Sequence, residues 1–364
     1  MQIVRGKDKL IMKRDSSLVT KAAITAVGSY VPEEVLTNHD LEQMVETNDE
    51  WIRSRTGISE RRIAKTPEHS TAFMAIKSAQ DLCQKNNINP ASIDVVLVAT
   101  ITPDYQVSST APYVATEIGA THAFAFDISA ACSGFLYGMS TAASFINSNQ
   151  YKRVLLIGAD KMSSIVDYTD RTTCIIFGDG AGAVLFEPST NDYGFENAIH
   201  GNDGVGRDYL NIHDGGSLHP INEHSFSAGK HYVRQEGRTV FKYAVKHMSE
   251  TSNQLIAKNE LSPEKIDYVI AHQANKRIID ATTNHLGVAK EKVLTNIHKY
   301  GNTTAATLPL LLADFESSFK KGDKLLFTAF GGGFTWGAAY LTWNYDYKNQ
   351  NHRTNGYQRN SKLN

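Results

Sequence analysis

Three residues of this sequence, a cysteine, a histidine and an asparagine, have the types and settings that nucleophilic chemistry needs. Cys132 follows an apolar run at residues 124–128, and a helical pattern begins at Phe135. This setting predicts a sharp strand-to-helix turn with the sulfur near the helix N-terminus, where unpaired N–H groups and the macrodipole favour an anion. We therefore expect a lowered thiol pKa and an available thiolate, although most free cysteines are simply small buried side chains.

His272 and Asn302 stand at two further junctions between an apolar run and a helical pattern. The carboxyl end of a strand is where open α/β sheets bind ligands, and a helix N-terminus would keep the imidazole of His272 neutral. Asn302 would either cap a helix or use its amide to stabilise a developing oxyanion. The glycines at 331–333 would let backbone N–H groups approach the same reacting carbonyl.

The elements that must position these residues occur twice in the chain. The pattern Pro-x-x-Ile-Asp-x-Val begins at Pro90 and again at Pro263, an offset of 263 − 90 = 173 residues. Two similar α/β halves with apolar strands must each cover both faces of a sheet. Their pairing sets Cys132 roughly opposite Asn302, and it predicts that the site lies in the crevice between the halves.

The composition is that of a globular protein with two folded units. The chain has 364 residues, of which 41% are hydrophobic and 21% charged, and its formal net charge of -1 offers nothing to attract nucleic acid. Three cysteines without metal-ligand spacing predict a reducing, cytoplasmic compartment and no metal. The first ten residues lack the apolar core of a signal peptide, and no apolar run is long enough to span a membrane.

The expected boundaries follow from these patterns. Residues 1–20 are a polar leader, 21–190 the half with the cysteine, 191–343 the half with the histidine and asparagine, and 344–364 a polar tail. The histidine-bearing stretch from 202 to 238 is expected to be a solvated loop, because the spacing of its histidines is too irregular for zinc. Residues 173–186 are expected to form two strands around a glycine turn.

Trp51 and Arg55 are four residues apart and therefore share a helical face. They are either a partly buried aromatic beside a surface cation, or a clamp for a nucleotide base and its phosphates.

Taken together, these motifs resemble those of β-ketoacyl-ACP synthase III, a branch of the thiolase-fold condensing enzymes. The resemblance runs from about Lys21 to Trp343. It implies an α/β fold, a thiolase-like five-layered αβαβα sandwich built from two duplicated halves, and normally a homodimer. The segments that carry it are Ala131-Cys132-Ser-Gly-Phe, His272-Gln-Ala-Asn275-x-Arg277, Tyr300-Gly-Asn302-Thr, Gly331-Gly-Gly-Phe-Thr-Trp-Gly, Asp49-Glu-Trp51-Ile-x-x-Arg55 and Thr169-Asp-Arg171.

The resemblance implies a two-stage reaction. Cys132 takes the acyl group from an acyl-CoA primer, while the backbone N–H groups of Cys132 and Gly332 meet the oxyanion. His272 and Asn302 then hydrogen-bond the thioester carbonyl of malonyl-ACP as decarboxylation leaves an enolate, which attacks the acyl-cysteine and gives 3-oxoacyl-ACP. Neither a metal nor a redox cofactor is expected, because the loss of carbon dioxide drives carbon–carbon bond formation.

The resemblance also assigns binding residues around this centre. Trp51, Arg55 and Arg171 would hold the adenine and phosphates of CoA, and Asn275 would contact the pantetheine arm. Lys276 and Arg277 would present positive charge to the acidic acyl carrier protein.

Two other interpretations of the sequence are left open. Asn302 separates the chain from elongating synthases, which carry a second histidine there, and from thiolases, which carry a second cysteine. A synthase III-like enzyme of a secondary lipid or polyketide pathway would keep the same three residues, and a non-catalytic acyl-CoA or carrier-binding paralogue is the other alternative. Primer length and branching also stay open, since one methylene in an apolar pocket changes selectivity by only about 1–3 kcal/mol.

Overall fold

The computed structural model describes residues 20–347, so residues 1–19 of the predicted leader and 348–364 of the predicted tail lie outside the described residues. The strands are β1 (Ala22–Tyr30), β2 (Val35–Thr37), β3 (Glu60–Arg62), β4 (Val95–Ala99), β5 (Phe124–Ile128), β6 (Val154–Asp160), β7 (Gly180–Pro188), β8 (Phe195–Asn202), β9 (Leu210–Ile212), β10 (Val233–Gln235), β11 (Tyr268–Ala271), β12 (Lys324–Gly331) and β13 (Thr335–Thr342). The α-helices are α1 (Asn38–Glu42), α2 (Asp49–Thr56), α3 (Thr71–Asn86), α4 (Thr110–Ile118), α5 (Gly134–Asn147), α6 (Glu223–Ser227), α7 (Gly237–Lys258), α8 (Lys276–Leu286), α9 (Ile297–Tyr300) and α10 (Thr307–Phe315).

Two large sheets repeat one topology. The first has the order β1-β7-β6-β4-β5 and the second the order β11-β12-β13-β8. In each, two antiparallel pairings are followed by a parallel one, so β1-β7-β6-β4 returns as β8-β13-β12-β11. A single parallel bridge from Val269 to Val293 stands where the second sheet would have its fifth strand. The duplication inferred from the sequence is therefore present in the topology.

Helices cover both faces of both sheets. Helices α3 and α4 pack on the outer face of the first sheet, and α7 and α8 on the outer face of the second. Between the sheets lie α5 and α10, whose apolar side chains, such as Phe135 and Leu308, are fully buried in one shared core. The layers run αβαβα, as the fold prediction requires. In the described part of the chain, no helix is both long and apolar enough to cross a membrane.

The corners that lead into the two middle-layer helices are built alike. A short 3-10 helix precedes each, Ala131–Ser133 before α5 and Thr304–Ala306 before α10, and its first residue has a positive φ of 47° or 51°. The offset of 173 residues therefore pairs Cys132 with Ala305 (305 − 132 = 173). Our expectation that Cys132 stands opposite Asn302 was wrong by three residues, because the short sequence motifs did not show where each corner turns.

The run before β7 also differs from its prediction. Residues 173–176 form turns, and Phe177 makes a single parallel β-bridge to Asn302, so no strand precedes β7 here. Residues 176–178 pair with the other half of the molecule, where the Asn302 N–H donates to the Ile176 carbonyl over 2.9 Å and the Gly178 N–H donates to the Asn302 carbonyl over 3.1 Å. A local pattern cannot reveal such a pairing, since its partner lies more than a hundred residues away.

Candidate active site

A cavity of about 690 Å³ lies between the two halves. Its lining includes Cys132, His272 and Asn302, so the structure brings together the three residues that the sequence singled out. Of the other predicted site residues, Trp51, Asn275 and Gly332 also line it. Most of the remaining lining is apolar, contributed mainly by isoleucine, leucine, valine, phenylalanine and methionine side chains.

Cys132 lies in the middle of the 3-10 helix that leads into α5, and its side chain is buried. A Cβ at Gly331 would stand 2.6 Å from the Cys132 nitrogen. Only glycine therefore lets the end of β12 lie this close to the corner that bears Cys132. Burial, helped by the nearby Asp160 carboxylate, raises the pKa of the Cys132 thiol to about 12. The predicted thiolate was therefore wrong, because loss of solvation outweighs the stabilisation offered by the helix N-terminus.

Asp160 is a fully buried carboxylate that sequence reasoning missed. It accepts hydrogen bonds from the loop at residues 100–102, over 2.8 to 3.2 Å, and from the Thr304 hydroxyl and the Ala305 N–H in the other half. Burial raises the pKa of Asp160, while these hydrogen bonds act in the opposite direction. An aspartate that ends a wholly apolar strand was the available signal, and its role is to join the two halves beneath the cavity.

His272 follows β11 directly, at the carboxyl end of that strand, as predicted. Its backbone N–H donates to the Thr328 carbonyl over 2.8 Å, and its Nδ1 lies 2.7 Å from the Thr307 hydroxyl oxygen. Burial lowers the pKa of His272 to about 3, so the imidazole is neutral at physiological pH. The neutral state was expected, but its cause was not, because α8 begins only at Lys276 and desolvation alone accounts for the shift.

Asn302 is buried, and its two amide atoms have different tasks. The side-chain oxygen accepts the Thr304 N–H over 2.9 Å, two residues further along the chain, and so closes an Asx turn before α10. Because the oxygen is engaged, the amide nitrogen is the part of Asn302 that can donate to a ligand in the cavity. The prediction that Asn302 caps a helix was therefore wrong, because the N-cap of the 3-10 helix Thr304–Ala306 is Thr303. The role of the amide as an oxyanion donor stays a prediction.

Trp51 lies on α2 at the edge of the cavity, and the cation above its ring is Arg171. The Arg171 guanidinium carbon stands 5.1 Å from the ring centre, and one of its nitrogens donates to the Glu46 carbonyl over 2.9 Å. Arg55 lies on the same helix as Trp51 with an exposed side chain. Thus the aromatic–cation contact that the spacing of Trp51 and Arg55 suggested is made by a residue 120 positions away in the chain (171 − 51 = 120).

Three of the predicted binding residues cluster at the start of α8. Asn275 is the N-cap, and its side-chain oxygen accepts the Arg277 N–H over 2.9 Å. Lys276 and Arg277 are both exposed. Lys276 pairs with Asp280 on the next turn, and Arg277 lies over the Phe241 ring at 5.5 Å. Two cations therefore stand at the surface directly beside a residue that lines the cavity.

The stretch from 202 to 238 is more than a solvated loop. It contains α6 and the strands β9 and β10, which pair with each other. Leu210, Ile212 and Val233 from these strands line the cavity opposite the corner that bears Cys132 and its neighbours. The alternation of apolar and polar residues in 210–212 was the sequence signal for this wall.

The same stretch contains a group of possible metal ligands. In the described residues, ligand atoms of His213, Asp214 and His219 lie within 4.8 Å of one another. The two rings stack at 4.3 Å with 13° between their planes, and the carboxylate bonds to His213 and accepts the Ser225 hydroxyl. The Asp214 carboxylate is therefore already bonded to His213 and Ser225, and that this protein needs no metal stays a prediction.

Two family models match the chain. Residues 126–204 match 3-oxoacyl-(acyl-carrier-protein) synthase III, and residues 256–343 match its C-terminal domain. The β-ketoacyl-(acyl-carrier-protein) synthase III 1 of Bacteroides thetaiotaomicron is 52% identical over 327 residues, which are 90% of this chain and 98% of that protein. The chain belongs to the synthase III family.

Solved structures of synthase III proteins have the same fold. The enzyme from Aquifex aeolicus superposes with a TM-score of 0.81 at 44% identity, over 88% of this chain and 100% of that one. The priming β-ketosynthase of the R1128 polyketide pathway superposes with a TM-score of 0.83 at 29% identity, over 90% and 98% of the two chains. The predicted family and the thiolase-like sandwich are confirmed, and the protein is an acyltransferase.

Proposed function

We propose that this protein condenses a short-chain acyl-CoA primer with malonyl-ACP, releasing CoA and carbon dioxide and giving the 3-oxoacyl-ACP that starts fatty acid synthesis. One observation carries the proposal. A buried cysteine, a neutral histidine and an asparagine whose amide nitrogen is free to donate line a single apolar cavity in a member of the synthase III family.

The first stage loads Cys132. Its sulfur forms a bond to the acyl carbon of the primer thioester, the carbon–sulfur bond to CoA breaks, and CoA leaves as a thiol with the proton from Cys132. Because burial raises the pKa of the Cys132 thiol, the proposal has the proton leave as the new bond forms. The backbone N–H groups of Cys132 and Gly332 are the proposed oxyanion hole.

The second stage uses His272 and Asn302. Both donate hydrogen bonds to the thioester oxygen of malonyl-ACP, the bond to the carboxylate breaks, and carbon dioxide leaves an enolate whose charge these donors stabilise. The enolate carbon forms a bond to the acyl carbon, the bond from that carbon to the Cys132 sulfur breaks, and the departing thiolate takes up one proton from solvent. A buried and mostly apolar site strengthens both hydrogen bonds relative to water. Since loss of carbon dioxide drives the condensation, the proposal includes no metal or redox cofactor.

Substrate binding is assigned to the cavity edge. Trp51 and Arg171, already in contact, would hold the adenine and phosphates of CoA together with Arg55. Asn275 lines the cavity and would contact the pantetheine arm. The exposed cations Lys276 and Arg277 would receive the acidic carrier protein.

The assembly is proposed to be a homodimer in the cytoplasm. Strand β5 is the last strand of the first sheet and its first residue, Phe124, is 40% exposed. Apolar sheet edges are generally covered in native proteins, and a second copy of the same edge would cover this one. The described cysteines Cys83, Cys132 and Cys174 are all free and buried, in keeping with a reducing compartment.

The decisive experiment follows the acyl group by intact mass spectrometry. Wild-type protein and Cys132→Ala are incubated with acetyl-CoA and with a panel of short straight and branched acyl-CoAs, and malonyl-ACP is then added. We expect an acyl adduct on the wild type only, which malonyl-ACP discharges as 3-oxoacyl-ACP. An adduct that malonyl-ACP cannot discharge would indicate a secondary-pathway enzyme with another acceptor. The absence of any adduct would leave a binding role and contradict the proposal.

A further inference from the structure

We infer that Thr307 is a positioning residue that donates its hydroxyl hydrogen to Nδ1 of His272, so that the proton of the neutral imidazole resides on Nε2 and points into the cavity. The inference rests on the proposed function, in which Nε2 must donate to the thioester oxygen of malonyl-ACP. It concerns a residue that the sequence motifs did not mark as functional.

The contact between the two side chains is buried and close. The Thr307 hydroxyl oxygen lies 2.7 Å from Nδ1, and the two residues are 2% and 1% exposed. A neutral imidazole has one N–H and one unprotonated nitrogen, and the hydrogen bond made by one nitrogen decides what the other can do. Whatever Thr307 does at Nδ1 therefore sets the chemistry of Nε2.

The direction of this hydrogen bond follows from the neighbouring carbonyl. The Thr307 hydroxyl could instead donate to the Thr304 carbonyl, which lies 3.0 Å away. That carbonyl already accepts the backbone N–H of Thr307, so it keeps a hydrogen bond when the hydroxyl turns away. Donation to Nδ1 runs over the shorter of the two distances, 2.7 Å against 3.0 Å, and to the stronger acceptor, an imidazole nitrogen.

Asn302 supports the same assignment. Its side-chain oxygen already accepts the Thr304 N–H, so its amide nitrogen is the group that we infer donates to a ligand. A second donor at Nε2 would let both residues bind one oxygen that becomes negative as carbon dioxide leaves. With the proton on Nδ1, a lone pair of His272 would face the lone pairs of that oxygen and oppose the charge that Asn302 stabilises.

The position of Thr307 is itself held from the other half of the molecule. Thr307 is the first residue of α10 and follows the 3-10 helix Thr304–Ala306. The Thr304 hydroxyl and the Ala305 N–H both donate to the buried Asp160 carboxylate. The hydroxyl thus stands where the fold places it before any substrate enters, and Thr307 need not reorganise during the reaction.

Two substitutions at Thr307 distinguish the effect of the hydroxyl group from the effect of the size of the side chain. Thr307→Val keeps the shape and removes the hydroxyl, and Thr307→Ser keeps the hydroxyl. Condensation is measured with Cys132 already acylated, and acylation by acyl-CoA is measured separately. We expect Thr307→Val to lower kcat for condensation at least about tenfold, with a much smaller change in KM for malonyl-ACP and in the acylation rate, and Thr307→Ser to restore most of the loss.

The tautomer is read directly by NMR. Protein labelled with ¹⁵N-histidine shows, through two-bond proton–nitrogen correlations, which ring nitrogen carries the proton, and the His272→Asn variant identifies the His272 signals. We expect Nε2–H in the wild type and in Thr307→Ser, and a mixed or reversed tautomer in Thr307→Val.

Two results would overturn the inference: an Nδ1–H tautomer in the wild type, or wild-type condensation by a folded Thr307→Val. Its failure is distinguishable from that of the proposed function, because the NMR measurement needs no turnover. A wild-type protein that forms no 3-oxoacyl-ACP rejects the function, whatever tautomer His272 adopts.

Discussion

The side-chain oxygen of Asn302 accepts the backbone N–H of Thr304 over 2.9 Å, so that the amide closes a turn with its oxygen and keeps its nitrogen available as a donor. Asn302→Asp keeps an oxygen for the turn but replaces the donor with a negative oxygen. We predict that condensation falls by about 10²- to 10³-fold, because an oxyanion donor is lost and like charge is added.

Acylation of Cys132 serves as the internal control for this substitution. It should continue in Asn302→Asp, while Asn302→Ala should also lose about 0.5–1.5 kcal/mol of stability with the hydrogen bond from the Thr304 N–H. Equal losses of acylation and condensation in Asn302→Asp would contradict the assigned role.

The burial of Cys132 predicts an unreactive resting thiol. With a pKa of about 12, its thiolate fraction should rise about tenfold for each pH unit through neutral and alkaline pH. The rate of iodoacetamide alkylation, followed by mass spectrometry with Cys132→Ser as the control for Cys83 and Cys174, should increase in the same way. A rate that levels off below pH 9 would mean that the helix N-terminus prevails over burial.

The lowered pKa of His272 predicts that the folded protein loses stability in acid. Its pKa is about 3 in the folded protein against 6.5 for a free histidine, so the unfolded chain takes up a proton before the folded one does. The stabilisation is complete above pH 6.5 and is lost as the pH falls, at roughly 1.4 kcal/mol per pH unit down to about pH 3. Urea denaturation at pH 7 and pH 5 should show a smaller acid loss for His272→Gln than for the wild type, and identical losses would contradict the shift.

Because Arg171 contacts Trp51, we predict that Arg171 contributes more than Arg55 to the binding of the acyl-CoA primer. Arg171→Ala removes a cation–π contact of about 0.5–1 kcal/mol together with a charge proposed to meet the CoA phosphates, whereas Arg55→Ala removes an exposed charge alone. We expect KM for the acyl-CoA primer to rise more in Arg171→Ala, while KM for malonyl-ACP stays close to the wild-type value. A larger effect from Arg55→Ala would restore the original pairing of Trp51 with Arg55.

Charge reversal at the start of α8 predicts a carrier-specific defect. Lys276→Glu and Arg277→Glu should raise KM for malonyl-ACP, and the difference from wild type should shrink as salt is added, because the contact is electrostatic and exposed. Acylation by acyl-CoA is the matched control and should change little. An effect on both substrates alike would indicate damage to the cavity rather than to a docking surface.

Much of the fold and the centre of the site could be read from local patterns. Apolar strands, capped helices and a repeat of 173 residues predicted two α/β halves, and both sheets have the repeated topology. Cys132 and His272 were found because each follows an apolar strand at a corner, and corners that close strands meet at the same edge of a sheet. Asn302 follows the helix α9 instead of a strand, and its polar side chain at a glycine-bearing turn was the signal that found it. These features depend on neighbours in the chain, which is why a single sequence determined them.

What only the tertiary structure decided depends on partners far apart in the chain. Burial between the two halves made Cys132 a neutral thiol, and the fold, rather than a helical spacing, chose Arg171 as the partner of Trp51. Asp160 and Thr307 acquire their roles only when a strand of one half meets a corner of the other. Desolvation and hydrogen bonding are properties of the folded environment, so the protonation states on which the chemistry depends are settled there.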